Sequence, residues 1–112
     1  MIWYERRGSK YGAKSCYYNG ILYHSKLEAK YAIGLDLCVK AKEIKSWERQ
    51  VKISLDVNGY HIANYFCDFK IINNDDSEEF HEIKGFETEI FRLKRKLLEA
   101  LYPNYKYIVI KS

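Results

Sequence analysis

Asn58-Gly59, set between two long apolar-rich runs, constrains this chain more than any other feature. From Trp47 to Val57 the residues alternate, with Val51, Ile53, Leu55 and Val57 on one side and Lys52, Ser54 and Asp56 on the other. A period of two is the signature of a half-buried strand. A second run extends from Tyr60 to about Ile72. Asn-Gly supplies the two positive-φ residues of a type I′ turn, so the two runs form an antiparallel hairpin.

The same dipeptide recurs at Asn19-Gly20, between Cys16-Tyr17-Tyr18 and Ile21-Leu22-Tyr23, and predicts a second, short hairpin. Ser25 opens a helix to about Lys42, with Leu27, Tyr31, Leu35 and Cys38 as its apolar stripe. Asn73 to Ser77 are turn formers, and a third strand runs from about Glu79 to Lys84, closed by Gly85. Ile90, Leu93, Leu97 and Leu101 mark a helix that Pro103 stops, and Tyr105 to Ile110 is the last strand. Residues 1–14 show no clear period and carry Arg6, Arg7, Lys10 and Lys14, which reads as a basic N-terminal arm. The last helix is long enough to cross over and lay the final strand parallel to the third. The expectation is one α+β domain over residues 1–112, a mixed sheet with helices packed on it and an N-terminal hairpin.

At 112 residues, 47% hydrophobic and 30% charged, the chain has material for one core and is not disordered. No apolar run approaches the ~20 residues that span a bilayer, and Met1 to Arg7 lacks the apolar stretch of a secretory signal. Cys16, Cys38 and Cys67 are odd in number and contain no CxxC pair, which fits reduced thiols in a cytoplasm. Residues 1–56 carry 11 Lys/Arg against 6 Asp/Glu, and residues 57–112 carry 8 against 9. A basic half beside an acidic half suits a protein that holds a polyanion and a cation; ordinary solubilising charge explains the same figures.

Asp68 interrupts an otherwise apolar strand, Tyr65-Phe66-Cys67-Asp68-Phe69-Lys70-Ile71-Ile72. Glu82 and Lys84, two apart in the next strand, leave the same face. The adjacent strands bring two carboxylates and an ammonium together at the rim of the sheet. Such a group is costly unless paired or metal-bound. Two carboxylates suit a hard cation such as Mg²⁺, and a nearby lysine suits charge developing on a phosphate. A cross-strand salt bridge explains the same three residues equally well.

Tyr65-Phe66-Cys67-Asp68-Phe69 and Glu82-Ile83-Lys84-Gly85, with 13 residues between Asp68 and Glu82, resemble the PD-(D/E)XK signature of the restriction-endonuclease-like nucleases. Lys10-Tyr11-Gly12-Ala13-Lys14, Ser25-Lys26-Leu27-Glu28-Ala29, Glu82-Ile83-Lys84-Gly85-Phe86 and Leu93-Lys94-Arg95-Lys96-Leu97 are similar to stretches of small, mostly phage-encoded nucleases. Cys67 stands where the motif has proline. The resemblance implies an αβββαβ core and a Mg²⁺-dependent DNA endonuclease, with Mn²⁺ as a substitute. It implies a role in phage or mobile-element DNA replication or recombination, junction resolution included. Asp68, Glu82 and the backbone carbonyl of Ile83 would hold the metal, Lys84 would be the catalytic lysine, and Glu28 would complete the acidic set.

Glu28 has a second reading, since Ser25-x-x-Glu28 is also a helix capping box. Gln50 is either a contact to the site or to substrate, or a polar residue at the edge of the core. His24, His61 and His81 lack metal-ligand spacing. Arg92, Lys94, Arg95 and Lys96 form a basic flank that, with Arg6, Arg7, Lys10 and Lys14, could grip DNA phosphates; a solvated helix face is the alternative for the flank. The partner expected is DNA and no membrane, with room for a homodimer and for phage replication or packaging proteins. A binding module on a nuclease fold, without catalysis, is the competing function.

Overall fold

The computed structural model describes residues 2–5 and 15–111. In chain order the elements are β1 (Ile2–Glu5), β2 (Cys16–Tyr18), β3 (Ile21–Tyr23), α1 (Lys26–Lys40), β4 (Ser46–Val57), β5 (Tyr60–Ile72), β6 (Glu78–Lys84), α2 (Glu89–Leu101) and β7 (Lys106–Lys111). Five strands form one mixed sheet in the order β1-β7-β6-β5-β4, and β2 and β3 form a separate hairpin. As expected, β4–β5 and β5–β6 are antiparallel and β7 lies parallel to β6. Both Asn-Gly pairs take positive φ, 52° and 77° at Asn19-Gly20 and 51° and 81° at Asn58-Gly59, the geometry a type I′ turn demands. Among the described residues no helix is long and apolar enough to cross a membrane.

The helices cover opposite faces. α1 buries Ala29, Ala32 and Leu35 against Phe69, Ile71, Ile83, Ile108 and Ile110. Its buried line therefore differs from the Leu27–Tyr31–Leu35–Cys38 stripe read from the sequence: Leu27 and Tyr31 pack at the margin of this core, and two alanines let the helix approach the sheet closely. α2 buries Phe91 and Leu98 against Ile53, Leu55, Tyr65, Cys67, Phe80 and Tyr107. Asp36 on α1 accepts from Tyr18 Oη (2.5 Å) and Trp47 Nε1 (2.9 Å), tying the small hairpin, the helix and β4 together.

One expectation is corrected. The stretch read as a basic arm over residues 1–14 contains a strand, because Ile2–Glu5 pairs in parallel with β7, Ile2 opposite Ile108 and Glu5 opposite Lys111. Four residues are too few to show a period, and the partner lies at the other end of the chain. Arg6, Arg7, Lys10 and Lys14 lie outside the described residues.

The site is positioned by an irregularity shared by two strands. In β5, Tyr65 and Cys67 face the α2 core whereas Phe69 and Ile71 face the α1 core, so the strand changes face at Asp68. In β4, Trp47 packs on the α1 side and Val51, Ile53 and Leu55 on the α2 side. The change falls at Gln50, which takes φ 52°. Arg49 pairs with Phe69 and Val51 with Cys67, so Gln50 and Asp68 stand opposite each other. Regular strands alternate strictly, and this double exception turns the hairpin as it passes the end of its pairing with β6.

Candidate active site at the parting of two strands

β5 and β6 pair from Ile72↔Glu78 to Phe69↔His81 and then separate. Separated strands leave backbone donors without ladder partners, and those donors must be satisfied. The two carboxylates do this reciprocally. Asp68 N–H donates to Glu82 Oε2 (3.1 Å), and Ile83 N–H donates to Asp68 Oδ2 (2.9 Å). Gln50 Nε2 donates to the other oxygen, Asp68 Oδ1 (3.2 Å). The positive φ of Gln50 thus goes with a side chain aimed at Asp68, and strain of this kind concentrates at functional positions.

The sequence places these carboxylates at the rim of the sheet, and the structure buries them there, with Asp68 9% and Glu82 8% accessible. Burial pushes the proton affinity of both above the ordinary carboxylate range. For Glu82 the charge of Asp68 is the next cause, and the Glu28 charge raises both. The backbone N–H groups and the Lys84 ammonium work in the opposite direction. A buried anionic pair that holds protons above the usual range is a site short of positive charge.

Lys84 is half-buried, and its Nζ lies 4.4 Å from the centre of the Phe91 ring. A cation over an aromatic face is weakly held there, so the ammonium is stored beside the carboxylates rather than locked onto them. Glu28 serves the helix cap: its N–H donates to Ser25 Oγ (3.1 Å), and its Oε2 accepts from His24 N–H (3.2 Å). The same carboxylate lies within electrostatic reach of Asp68 and Glu82, so the cap and the acidic cluster are compatible.

Among the described residues no group of three or more His, Cys, Asp and Glu side chains is gathered as a complete metal cage. Mg²⁺ does not require one. It binds through one or two carboxylates, retains waters and takes further oxygens from phosphate. Asp68 and Glu82 are hard oxygen donors, and each oxygen engaged with an N–H keeps a lone pair. Ile83 turns its N–H toward the gap, and a strand residue turns its carbonyl to the same side. Asp68, Glu82 and the Ile83 carbonyl are therefore a donor set that fits such a cation.

Residues 8–112 match the family described as Protein of unknown function (DUF1064). The chain belongs to this family. No curated protein matches it.

Other residues singled out in this DUF1064 chain have structural partners. Lys94 Nζ donates to Asn64 O (3.1 Å), bridging α2 to β5. Arg95 pairs with Glu87 (3.0 Å), which Arg92 also approaches, its Nε 3.7 Å away. Lys96 is exposed. The basic flank therefore divides into residues spent on internal contacts and one solvated lysine. His81 contacts Tyr31 Oη through Nδ1 and Glu79 through Nε2 (3.3 Å), on the α1 side of the sheet. His61 pairs with Asp56 on the hairpin (2.7 Å). Cys67 sits in the α2 core with its thiol against His81 O (3.3 Å), and burial pushes it well above the usual thiol range, which disfavours the thiolate that a nucleophile or ligand requires.

Proposed function

We propose that the chain is a metal-dependent DNA endonuclease of the restriction-endonuclease-like class, in which Asp68 and Glu82 hold a divalent cation. The element order from α1 onward, helix, three antiparallel strands, helix and strand, is the order that class uses. One observation carries the reading: two buried carboxylates with raised proton affinity meet where β5 leaves β6, with Lys84 beside them. A salt-bridge role for the trio has less support, because no ion pair joins Lys84 to either carboxylate among the described residues.

Held by Asp68 and Glu82, Mg²⁺ or Mn²⁺ would supply positive charge to the scissile phosphate and lower the pKa of a water so that hydroxide is available to attack. The protein's own part follows from the contacts. Gln50 and the Ile83 N–H fix the Asp68 carboxyl from two sides, and Asp68 N–H fixes Glu82. Lys84 can leave the Phe91 ring to donate to a phosphate oxygen as negative charge grows there. Water oxygen bonds to phosphorus, a phosphorus–oxygen ester bond breaks, and the proton passes to the departing oxygen. A role in replication or recombination of phage DNA, junction resolution included, is the biological setting the sequence motifs favour.

The test uses linear duplex, branched and single-stranded DNA with Mg²⁺, Mn²⁺ or EDTA. Wild type should cut only with a cation. Asp68→Asn and Glu82→Gln keep acceptors for the backbone N–H groups and should be folded but inactive. Lys84→Ala should lose on the order of 10²–10³ in rate, the usual cost of one transition-state donor. No cation-dependent cutting by wild type, or full-rate cutting by Lys84→Ala, would refute the reading and favour a DNA-binding module without catalysis.

A further inference from the structure

Phe66 lies two residues before Asp68 on β5 and is 54% exposed. It alternates with Tyr65 and Cys67, which are buried under α2, so its ring faces away from that helix. The α1 core does not reach it, since its β5 members are Phe69 and Ile71. Lys52, directly across on β4, is exposed and makes no ion pair or hydrogen bond among the described residues. The next pair along is polar, Ser54 opposite Asn64. On the other side of the gap, Phe86, two residues past Lys84, is 80% exposed.

We infer that the uncovered hairpin face holding Phe66 and Lys52 binds an unpaired nucleotide next to the scissile phosphate, so that the substrate is DNA with a single-stranded segment. The identity of the ligand rests on the nuclease reading of Asp68 and Glu82. A flat exposed ring offers a stacking surface, and every base has a matching π-face. Bases inside a duplex are already stacked on their neighbours, which leaves Phe66 nothing to take from intact double helix. The opposing ammonium complements a backbone phosphate. A protein partner fits less well, since interface cores are depleted in lysine and this ring is bordered by Lys52, Ser54 and Asn64.

Binding is measured in EDTA, where no cutting occurs, with oligonucleotides carrying 2-aminopurine at an unpaired position, as single strand and fork, and with a matched duplex. Wild type should prefer the unpaired forms and quench the 2-aminopurine by stacking. Phe66→Ala should reduce the ratio of unpaired to duplex affinity at least about fivefold and abolish the quenching. Phe66→Trp should retain both. Lys52→Ala should flatten the salt dependence by about one phosphate contact. An unchanged ratio in Phe66→Ala overturns the inference, as does a change in oligomeric state in that variant, which would make the patch a contact between copies. Cation-dependent cutting of duplex with an unchanged ratio leaves the nuclease reading intact and removes only the inference. Phe66-dependent binding by a wild type that cuts nothing removes the nuclease reading and keeps the binding face.

Discussion

Glu82→Gln should stabilise the cation-free protein at pH 8 and not at pH 4. Burial raises the proton affinity of Asp68 and Glu82 above the ordinary range, and the charge of Asp68 raises that of Glu82 further. The folded chain therefore keeps protons that the unfolded chain releases above about pH 4. Where the folded state binds more protons, stability falls as pH rises; the loss is absent below the unfolded values and complete above the raised folded ones. One proton in excess costs about 1.4 kcal/mol per pH unit, so two units cost about 3 kcal/mol. For a chain of this length that corresponds to roughly 10–20 °C in Tm. Glutamine keeps an oxygen for the Asp68 N–H and removes one of the two charges, so the variant should recover about 1–3 kcal/mol at pH 8. Thermal unfolding in EDTA at pH 4, 6 and 8, followed by circular dichroism, measures this. Subtracting wild type cancels Asp56, Asp75 and Glu79, whose proton affinities are lowered and whose contributions run the other way. A difference that does not change with pH, or a variant less stable than wild type at pH 8, would refute the argument. Mg²⁺ at pH 8 should raise the Tm of wild type more than that of the variant.

Gln50 and Glu28 offer two more tests. Gln50→Gly and Gln50→Ala both remove the hydrogen bond to Asp68, and both should slow cutting by about tenfold, the worth of one hydrogen bond to a charged group. Glycine accepts φ 52° without strain, so Gln50→Gly should be about 1 kcal/mol more stable than Gln50→Ala in urea unfolding; equal stability would mean that the backbone there is not strained. Glu28→Gln retains an acceptor for the His24 N–H, so its stability should stay within about 0.5 kcal/mol of wild type. A large loss of cutting in that variant assigns Glu28 to the acidic site, and full cutting confines it to the cap.

Much of this was readable in the residues. The Asn-Gly turns set both hairpins, Asp68 stands out as a charge inside an apolar strand, and Glu82 stands out by its place two residues from Lys84 on one strand face. The parting of β5 from β6 could not be read, because nothing in Phe66-Cys67-Asp68 marks the end of a ladder: it depends on a register set by the partner strand. Gln50 was placed near the site but its left-handed backbone was hidden, since Gly or Asn would normally announce one. The internal partners of the basic flank on α2 were hidden for a different reason. Composition counts charges, whereas Lys94 and Arg95 are already engaged by Asn64 and Glu87.

The pairing of β1 with β7 also bears on how the chain assembles. Val57 and Tyr60 meet across a two-residue turn, but Ile2 reaches Ile108 only by closing nearly the whole polypeptide into a loop. On loop-closure entropy the second contact costs about 3 kcal/mol more than the first. The β4–β5 hairpin and the residues it turns toward the site can therefore form early, on local contacts alone, while the outermost strand is added last. The same order run backwards makes β1 the first strand to detach in native-state fluctuations, and the carboxylate pair, on β6 and β5 with β7 between it and β1, is insulated from that opening.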